Sequence, residues 1–158
     1  MATVAITGGT GSVGRQALDA LDEHETTVLA RGDTEDVDVV TLDVTDRGRF
    51  VDVLDGHDTL VHLAAASSPW TSWDEALETN VDGTYNAYHA AVENDLDRVV
   101  FASSNHTMHM YNAADTAEPE SLVEQPRPVF PDDPPRPDSP YGISKVAGEA
   151  IGTYFADR

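Results

Sequence analysis

The stretch Thr7-Gly8-Gly9-Thr10-Gly11-Ser12-Val13-Gly14-Arg15 separates an apolar segment typical of a β-strand from a segment with helical periodicity. Its glycines form the pattern G-x-x-G-x-x-G, which permits a tight turn, a close backbone approach to a pyrophosphate and close packing of helix against sheet. The N-terminus of the following helix would add free N–H groups and a positive potential for phosphates. In this strand–turn–helix context the pattern predicts a dinucleotide site. The cofactor contacts predicted in it are Gly8, Gly11, Ser12, Val13 and Gly14.

Beyond this turn, short apolar runs alternate with longer stretches of helical periodicity. Such alternation predicts an α/β fold, here a Rossmann-like doubly wound parallel sheet of order 3-2-1-4-5. Helix caps are predicted at Asp46 and Asp74, and the last helix is predicted to start near Tyr141. Strands are predicted at 4–7, 27–30, 39–42, 59–63 and 98–102, and helices at 13–21, 47–54, 75–94 and from 141 almost to the chain end.

Residues 1–158 are predicted to form one dinucleotide-binding domain. Within it, residues 105–140 contain most of the prolines and many acidic residues but little periodicity, so a long proline-rich loop is predicted there. This loop is interpreted either as substrate-facing or as a salt-adapted surface insertion. Trp70 and Trp73 precede the longest helix near the expected substrate mouth, and we predict that they pack in the core or cap the helix start.

The formal charge of the chain is −20, and its acidic residues are spread over nearly every polar segment. Repulsion of phosphate disfavours binding to nucleic acid or to an anionic membrane. Carboxylates over a whole surface suit a protein that works in concentrated salt, where screening removes their self-repulsion; a merely acidic protein is the alternative. The chain has no cysteine, and we predict no metal site. Without a signal peptide or a long apolar segment, a cytoplasmic protein is expected.

Lys145 is the only lysine of the chain and follows Tyr141 by four positions in Tyr141-Gly142-Ile143-Ser144-Lys145. Residues at this spacing share a helix face, where the ammonium can stabilise the phenolate of the tyrosine. A tyrosine so placed is a general base for removing the proton from an alcohol during oxidation. An exposed helical pair is the alternative, but the glycine-rich turn at the other end of the chain favours the catalytic interpretation.

The choice between NAD and NADP depends on residues at the end of the second predicted strand. Asp33 would bind the ribose hydroxyls and favour NAD, whereas Arg31 would pair with a 2′-phosphate and favour NADP. NAD is our prediction, with NADP left open. Asp43, after the third predicted strand, is either an acceptor for the adenine amine or a loop carboxylate that caps the next turn.

Several motifs occur in the order and spacing of one superfamily. They are T-G-G-T-G-S-V-G at 7–14, L-D-V at 42–44, H-L-A-A at 62–65, N-V-D-G-T at 80–84, the serine pair at 103–104 and Y-x-x-x-K at 141–145. Through them nearly the whole chain resembles the extended short-chain dehydrogenases/reductases, also called NAD-dependent epimerases/dehydratases. The segment F-A-S-S-N-H-T at 101–107 resembles that of uronate dehydrogenases, and the acidic chain also resembles NAD-dependent glucose-6-phosphate dehydrogenases of extreme halophiles.

The resemblance implies a role for each matching residue. Ser104, rather than Ser103, would hydrogen-bond the reacting oxygen. Tyr141 would be the acid/base, and Lys145 would stabilise its phenolate and hold the nicotinamide ribose. The implied substrate contacts are Ser67, Ser104, Asn105, His106 and Tyr141. The implied cofactor residues beyond the turn are Asp43, Val44, Leu63, Ala64, Ala65, Tyr141, Lys145 and Asn80, the last as a support of the active-site backbone.

These roles imply hydride transfer from C1 of a cyclic sugar, a uronate or a sugar phosphate, to NAD, with a lactone as product. A nucleotide-sugar epimerase/dehydratase and a truncated, non-catalytic dinucleotide-binding module are the alternatives. The superfamily continues beyond the tyrosine–lysine helix with a sixth strand and a substrate region, so the chain is expected to be the N-terminal part of a longer enzyme. A homodimer through the helices that start near Glu75 and Tyr141 is also implied.

Overall fold

A computed structural model describes residues 1–32, 34, 36–115 and 117–157, with the side chain of Pro119 left aside. Five parallel strands form one sheet in the order β3-β2-β1-β4-β5, which confirms the predicted topology. The central strand is β1, where Ile6 is in register with Val28 on one side and Val61 on the other. The strands are Thr3–Thr7 (β1), Glu25–Ala30 (β2), Val39–Thr41 (β3), Thr59–His62 (β4) and Arg98–Phe101 (β5).

Helices follow the strands as the alternating pattern predicts. They are Ser12–Ala20 (α1), Arg47–Leu54 (α2), Trp73–Glu75 (α3), Gly83–Glu93 (α4) and Pro140–Ala156 (α5), and a π-helical segment, Ala76–Asp82, joins α3 to α4. The predicted cap at Asp46 is confirmed, since its carboxylate accepts from the Arg49 N–H. The predicted cap at Asp74 is wrong. The extended residue Ser72 accepts from the Glu75 N–H at 3.2 Å, while Asp74 lies inside the first turn, where the helix dipole favours a carboxylate.

The apolar core lies between the sheet and the pair of helices α2 and α4. Phe50 and Leu54 of α2 are completely buried there, and each contributes roughly 1.5–3 kcal/mol by leaving water. Ala87 and Ala90 of α4 are small enough to let the helix approach closely. The buried cluster consists of Ala5, Leu29, Leu42, Val44, Phe50, Leu54, Leu60, Ala87 and Ala90.

The proline-rich segment contains more regular structure than the loop prediction allowed. Two 3₁₀ turns, Asn105–Thr107 and His109–Tyr111, are followed by an antiparallel pair of strands, Ala113–Asp115 (β6) and Glu118–Leu122 (β7). These strands are short and rich in acidic residues, so they lack the apolar alternation from which strands are predicted. The Tyr111 ring lies near two guanidinium groups, with Arg127 at 4.1 Å and Arg136 at 5.0 Å from its centroid.

The prediction that Trp70 and Trp73 pack in the core is wrong, because the two residues are 83% and 50% exposed. Both precede or begin the short helix α3, so neither lies where the sheet and its helices bury apolar surface. Within the described ranges, none of the helices is both long enough and apolar enough to cross a bilayer.

Candidate active site

A cavity of about 630 Å³ lies at the carboxyl ends of the parallel strands, a volume within the range of small-molecule sites. The chain crosses from one side of β1 to the other between β3 and β4, and open α/β sheets bind ligands at such a switch point. Fourteen predicted site residues line this cavity: Gly8, Gly11, Ser12, Val13, Gly14, Arg31, Asp43, Val44, Leu63, Ala64, Ala65, Ser67, Tyr141 and Lys145. The structure thus brings the two ends of the sequence to one site.

The glycine-rich turn is packed so tightly against α1 and against the loop after β4 that side chains are excluded. Gly8 has φ +70°, a conformation that favours glycine, and a Cβ there would lie 2.9 Å from the backbone nitrogen of Ala64. A Cβ on Gly14 would lie 2.3 Å from the carbonyl oxygen of Gly8 and 2.5 Å from the Cα of Gly9. The first and third glycines of the motif therefore allow α1, the turn and the loop after β4 to meet at backbone distance.

The N-terminus of α1 suits an anion. The N-cap is Gly11, so no side chain caps the helix there, and the first turn contains no acidic residue. The N–H groups of Ser12, Val13 and Gly14 have no acceptor within the described part of the chain, and all three residues line the cavity. This arrangement fits the pyrophosphate of a dinucleotide, as predicted from the turn.

At the far end of the cavity, Arg31 is exposed and lines the wall beside Asp43. One oxygen of Asp43 accepts hydrogen bonds from the backbone N–H of Thr45 at 3.0 Å and its hydroxyl at 2.8 Å. These two hydrogen bonds, helped by the Arg31 cation, hold the pKa of Asp43 below its usual value. Asp43 therefore closes a local turn and still faces the cavity. Asp33, the residue predicted to favour NAD, lies outside the described residues.

A buried threonine and histidine fix the loop beyond β4. The hydroxyl of Thr7 accepts from the backbone N–H groups of Leu63 and Ala64, both at 3.2 Å, so its own proton is donated to Nδ1 of His62 at 2.8 Å. Nε2 of His62 then carries the ring proton and lies 3.4 Å from the Thr84 hydroxyl. This network was not predicted, although His62 belongs to a recognised motif, because its partners are distant in sequence.

His62 makes folding dependent on pH. Burial, together with the Lys145 cation, lowers its pKa to about 3 from an ordinary value of 6.5. Between these values the unfolded chain binds one more proton than the folded chain, so stability is lost as the pH falls below about 6.5, by ~1.4 kcal/mol per pH unit. Urea unfolding at constant high salt should show a steeper loss for the wild type than for His62→Gln. Equal slopes would contradict this account.

Tyr141 and Lys145 lie on the first two turns of α5, which Ser139 caps by accepting from the Gly142 N–H at 3.1 Å. Lys145 is only 3% exposed and donates to the Ala102 carbonyl at 2.8 Å. Its burial lowers the pKa of the ammonium to about 8. Nζ of Lys145 lies 5.7 Å from the centroid of the Tyr141 ring, close enough to stabilise a phenolate. Within the described residues the Tyr141 hydroxyl has no hydrogen-bond partner.

Asn80 does not line the cavity but joins two of its walls. Its side-chain oxygen accepts from the Ala66 N–H at 2.7 Å, and its amide donates to the Ala66 carbonyl at 3.2 Å and to the Ser144 hydroxyl at 2.9 Å. Ser144 in turn donates to the Tyr141 carbonyl at 2.7 Å. The π-helical segment therefore ties the loop after β4 to the helix that carries Tyr141, and the supporting role implied for Asn80 stays a prediction.

The segment after β5 lies beside the cavity rather than on its wall. Ser103 lines the cavity and donates to Glu149, whereas Ser104, Asn105 and His106 do not line it. Ser104 instead caps a 3₁₀ turn by accepting from the His106 N–H at 3.2 Å. Successive side chains of an extended segment point in opposite directions, which separates the two serines. The segment reaches α5 through His106, whose ring centroid lies 5.6 Å from that of Tyr141.

His106, His109 and Asp138 form a small cluster beside Tyr141. One ligand atom from each lies within 4.8 Å of the others, and by residue type the set can bind a transition metal. Spacing in the sequence did not indicate this cluster, because Asp138 is distant along the chain. Proximity alone does not establish a metal, and the absence of a metal site stays a prediction.

A model of the NAD dependent epimerase/dehydratase family matches residues 4–158. L-arabinose 1-dehydrogenase (NAD(P)(+)) of Haloferax volcanii is 49% identical, and the match covers 100% of this chain and 63% of that protein. NAD-dependent glucose-6-phosphate dehydrogenase of the same organism is 32% identical, and the match covers 98% of this chain and 63% of that protein. The crystal structure of uronate dehydrogenase from Agrobacterium tumefaciens has a TM-score of 0.81 at 28% identity, covering 99% of this chain and 56% of that chain.

The chain therefore spans between about half and two thirds of the length of these relatives. Glucose-6-phosphate and uronate dehydrogenases are among them, as the sequence motifs indicate, whereas a relative that acts on arabinose was not predicted. The family match covers residues 4–158. The strand order and the cavity that both ends of the sequence line agree with this family. The chain belongs to the NAD-dependent epimerase/dehydratase family of extended short-chain dehydrogenases/reductases.

Proposed function

We propose that this chain supplies the cofactor-binding and proton-transfer parts of an NAD-dependent sugar dehydrogenase that oxidises a uronate or another aldose, free or phosphorylated, at C1. The observation that carries the proposal is the shared cavity: Tyr141, Lys145 and the glycine-rich turn all line it. The names of the relatives, which include dehydrogenases of arabinose, glucose 6-phosphate and uronate, support the sugar as the substrate class.

The bound nicotinamide would accept a hydride from the C1 carbon. Tyr141, as phenolate, removes the proton of the C1 hydroxyl, and the buried ammonium of Lys145 stabilises that phenolate. Ser104 steadies the reacting oxygen, a role that requires its hydroxyl to exchange its contact with Asn105 for the substrate. Ser67 on the cavity wall contacts the remaining sugar hydroxyls. Asn105 and His106 lie beside the cavity, and they reach the same sugar from the side where His106 meets Tyr141. The product is a lactone.

NAD is the proposed cofactor, and Arg31 is the residue that would admit NADP by pairing with a 2′-phosphate. Its exposed position at the adenosine end of the cavity supports this assignment. The relative from H. volcanii that is described as using NAD(P)(+) is consistent with acceptance of both.

The charge of −20 supports work in concentrated salt and no binding to nucleic acid or to an anionic membrane, and the cytoplasm is the proposed location. The proposed homodimer uses the long helix that includes α4 together with α5. These helices are adjacent, since the rings of Tyr88 and Phe155 stack with centroids 5.9 Å apart, and Val92 on α4 is exposed. Light scattering at high salt would test the dimer.

The decisive experiment follows nicotinamide reduction at high salt in the full protein encoded by the reading frame that contains this chain. NAD and NADP are crossed with glucuronate, galacturonate, glucose 6-phosphate, L-arabinose and glucose. We expect net reduction with at least one aldose and faster turnover with NAD. A changed sugar configuration without net reduction would instead identify an epimerase. Cofactor binding without either reaction would identify a non-catalytic module.

A further inference from the structure

Asp138 is a buried carboxylate for which the sequence predicted no role. It lies two residues before α5, and its side chain is only 4% exposed. One of its oxygens lies 2.6 Å from Nδ1 of His106, and the other accepts from the Ser139 hydroxyl at 2.8 Å. Both oxygens are thus used, and both partners belong to the neighbourhood of Tyr141.

The second partner couples Asp138 to the start of the catalytic helix. The Ser139 hydroxyl gives its single proton to Asp138 and accepts from the Gly142 N–H, so the carboxylate orients the N-cap of α5. A Cβ on Gly142 would lie 2.4 Å from the carbonyl oxygen of His106, so the two segments meet at backbone distance. The Arg136 N–H also donates to the Thr107 carbonyl at 2.9 Å.

The first partner determines the protonation pattern of His106. An ionised carboxylate only accepts hydrogen bonds, so Nδ1 must carry the proton that Asp138 receives. The ring is held further by its edge contact with Tyr141 and by stacking on His109, with centroids 5.3 Å apart. Nε2 has no partner among the described residues, and the side chain is 22% exposed. Nε2 is therefore the ring nitrogen left to bind a ligand.

We propose that Asp138 is a positioning residue: it fixes His106 with its proton on Nδ1 and its Nε2 directed at a sugar hydroxyl beside Tyr141. A hydroxyl suits this nitrogen because it both donates and accepts hydrogen bonds. The identity of the ligand rests on the proposed function, but the arrangement of His106 does not. The same carboxylate sets the N-cap of α5, so substrate recognition and the placement of Tyr141 depend on one buried charge.

The arrangement is tested directly in the 158-residue chain by ¹⁵N spectroscopy of the histidine rings. We expect protonated Nδ1 on His106 in the wild type and a shift toward protonated Nε2 in Asp138→Ala. Asp133→Ala is the matched control, because Asp133 is a carboxylate of the same segment that pairs with Arg127 at 3.0 Å. It should leave the His106 signals unchanged. Asp138→Asn keeps the shape of the side chain and removes its charge. A shift of the His106 proton smaller than the shift expected in Asp138→Ala supports the proposal, even where the alanine variant does not fold.

Turnover by the full protein gives the second readout. Asp138→Ala should lower kcat/KM for the sugar about 10- to 100-fold, through a higher KM from the misoriented His106 and a lower kcat from the displaced Tyr141, with cofactor affinity unchanged. Equal losses of sugar and cofactor affinity would indicate a merely structural role and overturn the proposal. A wild-type His106 protonated only on Nε2, or a bound metal whose chelation shifts its signals, would also overturn it. An inactive wild type with protonated Nδ1 would instead count against the proposed function alone.

Discussion

Replacing Tyr141 with phenylalanine is expected to lower kcat about 10²- to 10⁴-fold in the full protein, the range that general acid–base groups contribute. The ring remains to pack against His106 and Lys145, so the fold and the cavity wall are retained. Only the hydroxyl is lost, and it has no hydrogen-bond partner in the described part of the chain. The loss should therefore appear in turnover and not in cofactor affinity.

Tyr85→Phe is the matched control, since Tyr85 lies on α4, away from the cavity, with its ring against Phe155. It should retain wild-type turnover. The two variants are compared by nicotinamide reduction under saturating sugar and by cofactor titration in high salt. Tyr141→Phe that still turns over at the wild-type rate would remove this residue from the proton-transfer step, and with it the main support for the dehydrogenase proposal.

The parts of the fold that were predictable depend on short-range patterns. Each strand of the parallel sheet was placed within two residues, because the runs around Ile6, Val28 and Leu60 are apolar and bounded by polar segments. The order of the strands followed from the handedness of the crossovers. Similarly, the Tyr141–Lys145 spacing indicated a shared helix face, and the structure places both residues on one cavity.

The parts that were missed depend on contacts between residues distant in sequence. Thr7 and His62 are 55 positions apart, and His106 and Asp138 are 32 apart. No local pattern links such pairs, so the network below the cavity and the buried carboxylate beside Tyr141 became visible only in three dimensions. The Ser72 cap was missed for a different reason: Asp74 is an equally good capping residue by type, and the choice is made by the backbone conformation.

Two hydrogen-bond networks hold the glycine-rich turn and the helix that carries Tyr141 at a fixed distance from each other. Thr7 and His62 fix the loop after β4 against the glycine-rich turn. Asn80 and Ser144 fix the same loop against α5. The loop at residues 63–66 therefore supports both the glycine-rich turn and the helix that carries Tyr141, and mutations that loosen it should weaken cofactor binding and turnover together.

Gly14→Ala is expected to be the most damaging change to the fold at the cofactor end. Alanine normally stabilises a helix relative to glycine by about 1 kcal/mol, so the substitution would stabilise the protein at a helix position with free space around the Cβ. Here the added Cβ would lie 2.3 Å from the Gly8 carbonyl oxygen and 2.5 Å from the Gly9 Cα, both backbone atoms that cannot rotate away. The helix must shift from the turn, which should lower the free energy of unfolding by about 1–3 kcal/mol or more.

The shift also moves the free N–H groups of Ser12 and Val13 away from the phosphates, so cofactor affinity should fall at least about tenfold, the equivalent of 1.4 kcal/mol. Gly48→Ala is the control, because Gly48 also lies in the first turn of a helix and its added Cβ would meet only the Asp46 carboxylate at 3.8 Å. It should leave stability unchanged or slightly raised. Denaturant unfolding and cofactor titration measure both effects, and a Gly14→Ala protein as stable as Gly48→Ala would show that α1 does not pack on the turn as closely as described.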